Sequence, residues 1–301
     1  MRTAAVFFDE PNADDYPFSI PLYRTVYRQL GESVAARGGR LAVVRDAATY
    51  RGNGTFAHGW VFDGTWFADH PGPLHTDLLW NKGRTFQAPD ANCLNDPALD
   101  AICTDKWRSY ELLHDVMFPT ALVTRAEELV GAMARLTTER VVLKPLGSYG
   151  GQGVLVGAPA DVAAQNTVYP CIVQEFIDTS GGIPGIVDGM HDLRIISING
   201  DVGLSYIRTP PPGEYTANVS RGGKEIEVPP DHVPPEALAI FRHVDQVFSR
   251  FPRRLYTVDM GRDRSGRWAA FEVNAKPGFS PKETGPSYPP FYDRLAELLL
   301  S

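Results

Sequence analysis

Residues 141–154, VVLKPLGSYGGQGV, set a lysine at the entrance to four glycines within seven positions. Each glycine costs conformational entropy on folding, so a run this dense marks a backbone that something must approach closely. The flanking VVLK and GVLV read as strands, and a glycine-rich hairpin between strands can fold over phosphates. Its N–H groups then face the anion while Lys144 supplies a point charge. No Lys-Ser or Lys-Thr follows the last glycine, so this is not a Walker A loop. No GxGxxG opens a helix either, which argues against a dinucleotide fold. Taken alone, the stretch is equally a plain surface hairpin. A second cluster lies in RWAAFEVN, where Glu272 and Asn274 are two apart and share one face of a strand. Folding at RSGR lays Asp259 on the neighbouring strand beside them. Two carboxylates and an amide oxygen suit magnesium, a hard cation that keeps water and phosphate as its other ligands. The same pattern alone also describes a solvent-facing acidic hairpin.

The elements that must position these residues fall into three units. AAVFFD is a first strand, LYRTVYRQLGESVAARGG a helix that stops at Gly38–Gly39, and RLAVVRD a second strand. TFAHGWVFDGTWFA forms a hairpin around Asp63–Gly64 and DLLWNKG a further strand, giving a small α/β layer that ends near residue 100. The second unit opens at CTDKWRSYELLHDV, a helix that Thr104 or Asp105 can cap. Thr124 with Glu127 forms a capping box for AEELVGAMARL, and CIVQEFID is a strand. A glycine-rich connection, TSGGIPGIVDGM, is expected to be mobile and leads to the third unit. There DLRIISING and VGLSYIRT pair across Asn199–Gly200, and PPEALAIFRHVDQVFSRF is a helix with Pro234 or Pro235 in its first turn. RLYTVDM and RWAAFEVN form the acidic hairpin, and PFYDRLAELLL closes the chain as an amphipathic helix. SYPPFYDR reads as C-terminal packing, with a specialised pocket wall as the alternative.

Composition narrows the class. A formal charge of −7 disfavours a general nucleic-acid binder, whose footprint is a basic face. Cys93, Cys103 and Cys171 form no CxxC pair, so neither a disulfide framework nor a zinc site follows, and a reducing cytoplasm is the simplest setting. MRTAAVFF reads as a first strand rather than a signal peptide, and no apolar stretch is long enough to span a membrane.

Lys106, Arg194, Arg208 and Arg221 each read alone as ordinary surface charge; their order is informative. DKW, VVLKPLGSYGGQGV, VQEFI, DLRI, ANVSRGGK, VDM and EVNAKPGF, spread over residues 104–278, resemble the ATP-grasp superfamily. The resemblance is strongest to the branch of bacterial glutathione synthetase and ribosomal-protein glutamate ligase. It implies an α/β (α+β) ATP-grasp fold with an N-terminal α/β pre-ATP-grasp domain at 1–103. A central lid subdomain at 104–178 and a C-terminal subdomain at 179–301 would then clamp ATP.

The resemblance also implies roles. Lys106 and Lys144 match the lysines that hold the ATP α- and β-phosphates. Gly147, Ser148, Tyr149, Gly150, Gly151 and Gly153 match the loop that covers the phosphates, with Ser148 as an extra donor. Gln174, Glu175, Phe176 and Ile177 match the hinge whose backbone reads adenine, and Asp178 or Asp192 is placed for a ribose contact. Asp259, Glu272 and Asn274 match the ligands of two magnesium ions, with Mn2+ able to substitute. Arg194, Arg208, Asn218 and Arg221 match residues that stabilise the phosphorylated intermediate and hold the acceptor, with Gly222 and Gly223 permitting close approach. The chain departs from the pattern in a longer stretch before DLRI and in Lys276, where relatives carry a small or polar residue. The first hundred residues, including WNKGR, match only in general α/β pattern, and in relatives that region commonly helps bind the acceptor.

The activity implied is an ATP-dependent, ADP-forming carboxylate–amine ligase that makes an amide or peptide-like bond through an acyl phosphate. Its partners would be a small-molecule carboxylate and amine, an amino acid or specialised metabolite among them, in a cytoplasmic dimer or tetramer without nucleic acid or membrane. A small-molecule kinase on the same fold, or a catalytically silent ATP-binding module, are the alternatives.

Overall fold

The strand Thr3–Phe8 is buried at every residue, as a continuous apolar run with neighbours on both sides must be. It pairs in parallel with Arg40–Arg45 on one side and with Leu78–Asn81 on the other. Helix Pro21–Ala36 makes the first connection. The chain therefore leaves the first strand in opposite directions at its two neighbours, which opens a crevice past the ends of Phe8 and Asn81. The antiparallel pair Gly59–Phe62 and Phe67–His70 extends one edge of this sheet and Cys93–Leu94 the other. The structure is a computed structural model that describes residues 1–9, 15–148, 151–215 and 223–301. Tyr149, Gly150, Asn218, Arg221 and Gly222 lie outside the described residues.

A second, antiparallel sheet runs in the order Thr120–Val123, Cys171–Glu175, Val141–Pro145, Leu155–Gly157. A third runs Lys224–Glu227, Asp201–Thr209, Asp192–Ile198, Leu255–Arg262, Trp268–Asn274. Its central hairpin turns on Asn199 (φ 53°) and Gly200 (φ 96°), the two left-handed residues that a type I′ turn demands. Alternation gives this sheet two different faces. Leu193, Ile195 and Val258 pack under helix Pro235–Phe248 and under Leu99, Ile102 and Leu113 of the helices before residue 114. On the opposite face Ile196, Ile198 and Leu204 join the core of the first sheet, and Arg194, two places before Ile196, pairs with Asp259 of the neighbouring strand. The closing helix Tyr288–Leu299 completes this shared core through Tyr288, Phe291, Tyr292 and Leu295, all fully buried. SYPPFYDR is thus packing and not a pocket wall. No helix among the described residues is long and apolar enough to cross a membrane.

Three local features differ from the sequence reading, and one choice that it left open is settled. An additional helix, Pro97–Thr104, precedes the expected one and is capped by Asp96, which accepts from Ala98 N at 2.7 Å. Asp105, rather than Thr104, then caps Lys106–Leu113, accepting from Trp107 N and Arg108 N. The capping partner of Thr124 is Glu128, not Glu127: Thr124 N and Oγ1 both donate to Glu128 Oε2 at 2.9 Å. The reason is that extended Arg125 occupies the cap position, which makes Glu128 the third residue of the turn. Finally, the connection read as mobile is tied down. Thr179 Oγ1 donates to His191 O and accepts from His191 N, both at 2.9 Å, closing residues 180–190 into a loop with Ile183 buried beneath it.

Candidate active site

Between the second and third sheets lies a cleft of ≈ 1120 Å3, open to solvent. Val142 and Lys144, two apart on one strand, both face it, and Val156 joins them from across the hairpin. Lys144 Nζ donates to Gln174 Oε1 at 2.9 Å and to Phe271 O at 3.3 Å. Gln174 Nε2 in turn donates to Thr120 Oγ1 at 2.9 Å, which donates to Phe118 O at 2.8 Å, so the amide's orientation is held from both ends. Lys106, buried in the first turn of its helix, donates to the glycine loop at Leu146 O (3.3 Å) and Ser148 O (2.6 Å). It also stands 3.9 Å from Glu272 Oε1. Burial pushes both lysines below their ordinary range, and Glu272 pulls each back up. In the loop, Ser148 Oγ donates to Pro145 O at 3.1 Å, Gly147 is exposed, and Gly151 (φ 73°) and Gly153 (φ 69°) adopt the left-handed backbone. A Cβ on Gly153 would stand 2.9 Å from Pro145 Cγ, so this position needs glycine twice over.

The three candidate metal ligands meet on the opposite wall. Asp259 pairs in register with Glu272, and Asn274 follows on the same strand opposite Thr257. Ala270 pairs with Met260, which leaves Phe271 as an extra, unpaired residue. This bulge re-aims the strand so that Phe271 and Glu272, though consecutive, both line the cleft. Arg194 clasps Asp259 with both arms, Nε to Oδ1 at 2.7 Å and Nη2 to Oδ2 at 2.5 Å. Arg208 Nη2 reaches the same Oδ2 at 2.8 Å and also pairs with Asp192, Nε to Oδ1 at 3.2 Å. Burial alone raises the Asp259 carboxyl, but Arg194 and Arg208 together hold it well below the usual carboxylate range. Burial raises Asp192, with Arg208 opposing.

The donor set fits a hard divalent cation. Glu272 takes no hydrogen bond from another described residue, so its carboxylate can serve as a ligand, and Asn274 Oδ1 spends one lone pair on Lys276 N at 2.8 Å. Asp259 accepts three hydrogen bonds, one short of what two carboxylate oxygens can take. Among the described residues no trio of His, Cys, Asp or Glu could hold a metal, so the third donor here has to be the amide.

At the far end of the cleft, Glu175 turns its carboxylate to Thr137, accepting from N at 2.9 Å and Oγ1 at 2.6 Å. Phe176 N donates to Arg140 O, whereas Ile177 N has no hydrogen-bond acceptor among the described residues and borders the cleft. Of the two ribose candidates, Asp192 lines the cleft while Asp178 faces Arg264 at 3.8 Å. Sequence reasoning missed Val142, Val156, Thr179, His191, Tyr215 and Phe271, which also line the cleft. Val142 was findable by counting back from Lys144 and Val156 by pairing across the hairpin, but the others depend on a loop closure, an aromatic contact (Tyr215 edge-on to Phe176 at 5.3 Å) and a bulge.

Residues 109–247 match the family described as prokaryotic glutathione synthetase, ATP-grasp domain. A glutathione synthetase of Prochlorococcus marinus is 30% identical over 139 residues, which cover 44% of this chain and 42% of that protein. A probable alpha-L-glutamate ligase of Mannheimia succiniciproducens is 27% identical over 144 residues, 45% of this chain and 46% of that one. The chain thus spans less than half the length of these curated relatives. The solved structure of a RimK domain ATP-grasp protein from Sphaerobacter thermophilus superposes with a TM-score of 0.62 over 99% of this chain and 100% of that one, at 15% identity.

Proposed function

We propose, from the ATP-grasp fold that this chain has, that it is an ADP-forming carboxylate–amine ligase. One observation carries the reading: a single cleft gathers Lys106, Lys144, Arg194 and Arg208 with Asp259, Glu272 and Asn274. Four cations beside three oxygen donors are what a nucleotide triphosphate and its divalent counter-ions require. The cleft offers little for covalent catalysis by the protein, since both ring nitrogens of His191 are engaged by main chain, at Gly189 O and Arg262 N. Positioning and charge neutralisation therefore do the chemistry.

In this reading the adenine lies against Val142, Val156 and Phe176, with Ile177 N as its main-chain donor and Asp192 near the ribose. Lys106 and Lys144 hold the α- and β-phosphates beneath the glycine loop. Asp259, Glu272 and Asn274 would hold two magnesium ions, which would neutralise phosphate charge when bound. An oxygen of the substrate carboxylate attacks the γ-phosphorus as the bond to the β-phosphate oxygen breaks, giving ADP and an acyl phosphate. Arg194 and Arg208, which line the same cleft, are assigned to neutralise the transferred phosphoryl group. An amine then attacks the acyl carbon, loses a proton and expels inorganic phosphate, leaving an amide. Closure of the glycine loop excludes water, which would otherwise hydrolyse the acyl phosphate.

The test is product analysis with paired libraries of small acids and amines, amino acids included. ADP and free phosphate should form together, in equal amounts, only when acid and amine are both present. AMP with pyrophosphate would overturn the mechanism. A stable phosphorylated product would indicate a kinase, and nucleotide binding with no turnover a silent module.

A further inference from the structure

Two lysines clasp each other's loops at the crevice where the first sheet changes direction. Lys82, just past the strand Leu78–Asn81, donates from Nζ to Pro277 O at 2.9 Å. Lys276, just past the strand Trp268–Asn274, donates from Nζ to Gly83 O. Each ammonium thus bonds the carbonyl of the residue after the other lysine. The exchange joins the end of the parallel strands to the end of the strand that carries Glu272 and Asn274.

The two ammonium groups of this clasp are unequally partnered. Lys276 lies 3.9 Å from Asp100 Oδ2 and feels Asp9 more weakly. Asp9 Oδ2 is already taken by the main-chain N–H groups of Arg84 and Thr85. Lys82 has no carboxylate partner among the described residues; its ammonium stands over the ring of Trp80, 4.7 Å from the centroid. Burial, then the neighbouring Lys276, push its pKa down to about 7. The Trp80 Nε1–H beneath it is buried and has no hydrogen-bond partner among the described residues. An ammonium carries three N–H donors, and the carbonyl bond of the clasp occupies one on each lysine. Two like charges brought together in a partly dry place, with donors to spare, are stabilised by an anion. In open α/β sheets the crevice at such a change of strand direction is where ligands sit.

We infer that Lys82 and Lys276 form an anion subsite for a second negative group, a carboxylate, on the acid substrate. The inference deepens the ligase reading and rests on it for the identity of the reacting group. The carboxylate to be activated then faces Asn274 and the arginines, while the second one is held at the clasp one loop away. The substrate class is a dicarboxylate or an acidic amino acid rather than a monoacid.

The test is isothermal titration of the full chain, with Mg2+ and ADP present, using succinate, glutarate, adipate and the half-amide of each. At least one diacid should bind about tenfold more tightly than its own half-amide, the worth of one charge-assisted bond. Lys82→Met and Lys276→Met should each bring the ratio to within about twofold, since the charge is removed while the apolar stem stays. Lys82→Arg and Lys276→Arg, which keep the charge, should retain most of the preference and guard against a fold defect. Equal affinity for every diacid and its half-amide in the unaltered chain, no binding of any included, would overturn the subsite. So would a preference that survives both Met variants. ADP release on the same samples separates the two readings: a diacid preference without ADP from any acid–amine pair sinks the ligase and leaves the anion subsite standing.

Discussion

Asp259 and Glu272 face each other directly across two antiparallel strands, yet their charges are answered from opposite directions. Asp259 is buried and gripped by Arg194 and Arg208 within the third sheet, whereas Glu272 keeps a third of its side chain exposed and meets Lys106 only at 3.9 Å. One acid of the pair is built into the fold. The other is held in reserve for the cleft.

Neutralising the two acids should therefore have different consequences. Asp259→Asn leaves buried Arg194 without a carboxylate and Arg208 with Asp192 alone, and removing one partner of such a network costs about 3–5 kcal/mol. Glu272→Gln breaks a long ion pair whose acid is partly solvent-exposed, and Lys106 keeps its two carbonyl bonds, so the cost is about 1 kcal/mol or less. Urea unfolding followed by circular dichroism reads both. Equal midpoints for the two variants would mean that Asp259 is not the structural member of the pair.

Removing the divalent cation should stop ADP release without unfolding the chain. Arg194 and Arg208 already balance Asp259, so the trio does not rely on a metal to hold its shape. EDTA should abolish turnover with little change in melting temperature, and Mg2+ or Mn2+ should restore it. Glu272→Gln should leave at most about 1% of the turnover, since a metal-borne charge worth several kcal/mol is lost from the transferring phosphoryl group. Full activity in EDTA would remove Asp259, Glu272 and Asn274 from the metal assignment.

Much of this site was legible because its logic is local. Lys144 and the glycines sit in one hairpin, and Glu272 and Asn274 share a face through strand periodicity alone. Asp259 follows once the turn at RSGR is recognised. What the chain hides depends on register between distant elements. Alternation puts Phe271 opposite to Glu272, and only the bulge at Asp259/Met260 brings both into the cleft. Lys82 and Lys276 are far apart in sequence, and their exchange of carbonyls exists only after the first and third sheets have met. Asp96 and Pro97 carry the signal of a helix start, an Asp cap followed by proline, but the helix is only 8 residues long and offers little periodicity to confirm it.

The glycine loop should tolerate no side chain at Gly153. Alanine there must hold a left-handed backbone, at a cost of about 1–2 kcal/mol, and must also displace Pro145 from 2.9 Å. The strain falls on the segment that covers the phosphates and not on any core. Gly153→Ala should accordingly raise the KM for ATP about tenfold or more while the unfolding midpoint shifts little. Gly147→Ala, exposed and with open space around its Cβ position, is the control and should change neither quantity much. Identical KM values for the two variants would mean that the loop does not close on the nucleotide in the way its geometry indicates.

Lys144 offers the sharpest division between binding and fold. Its ammonium holds Gln174 Oε1 and Phe271 O, so it braces the second sheet against the bulged strand of the third. Met in its place keeps the stem's volume but removes a buried charge that burial already disfavours. The chain should therefore lose little stability, about 1 kcal/mol or less, because the lost bonds are offset by relief of desolvation. Affinity for ATP should fall by about a hundredfold, the loss of charge-assisted contacts to two phosphates, with ADP affected less than ATP if the γ-phosphate is also in reach. Titration of both nucleotides into Lys144→Met and the unaltered chain decides it. A variant that binds ATP normally yet unfolds at markedly lower urea would show that Lys144 is a strut between the sheets and not a phosphate ligand.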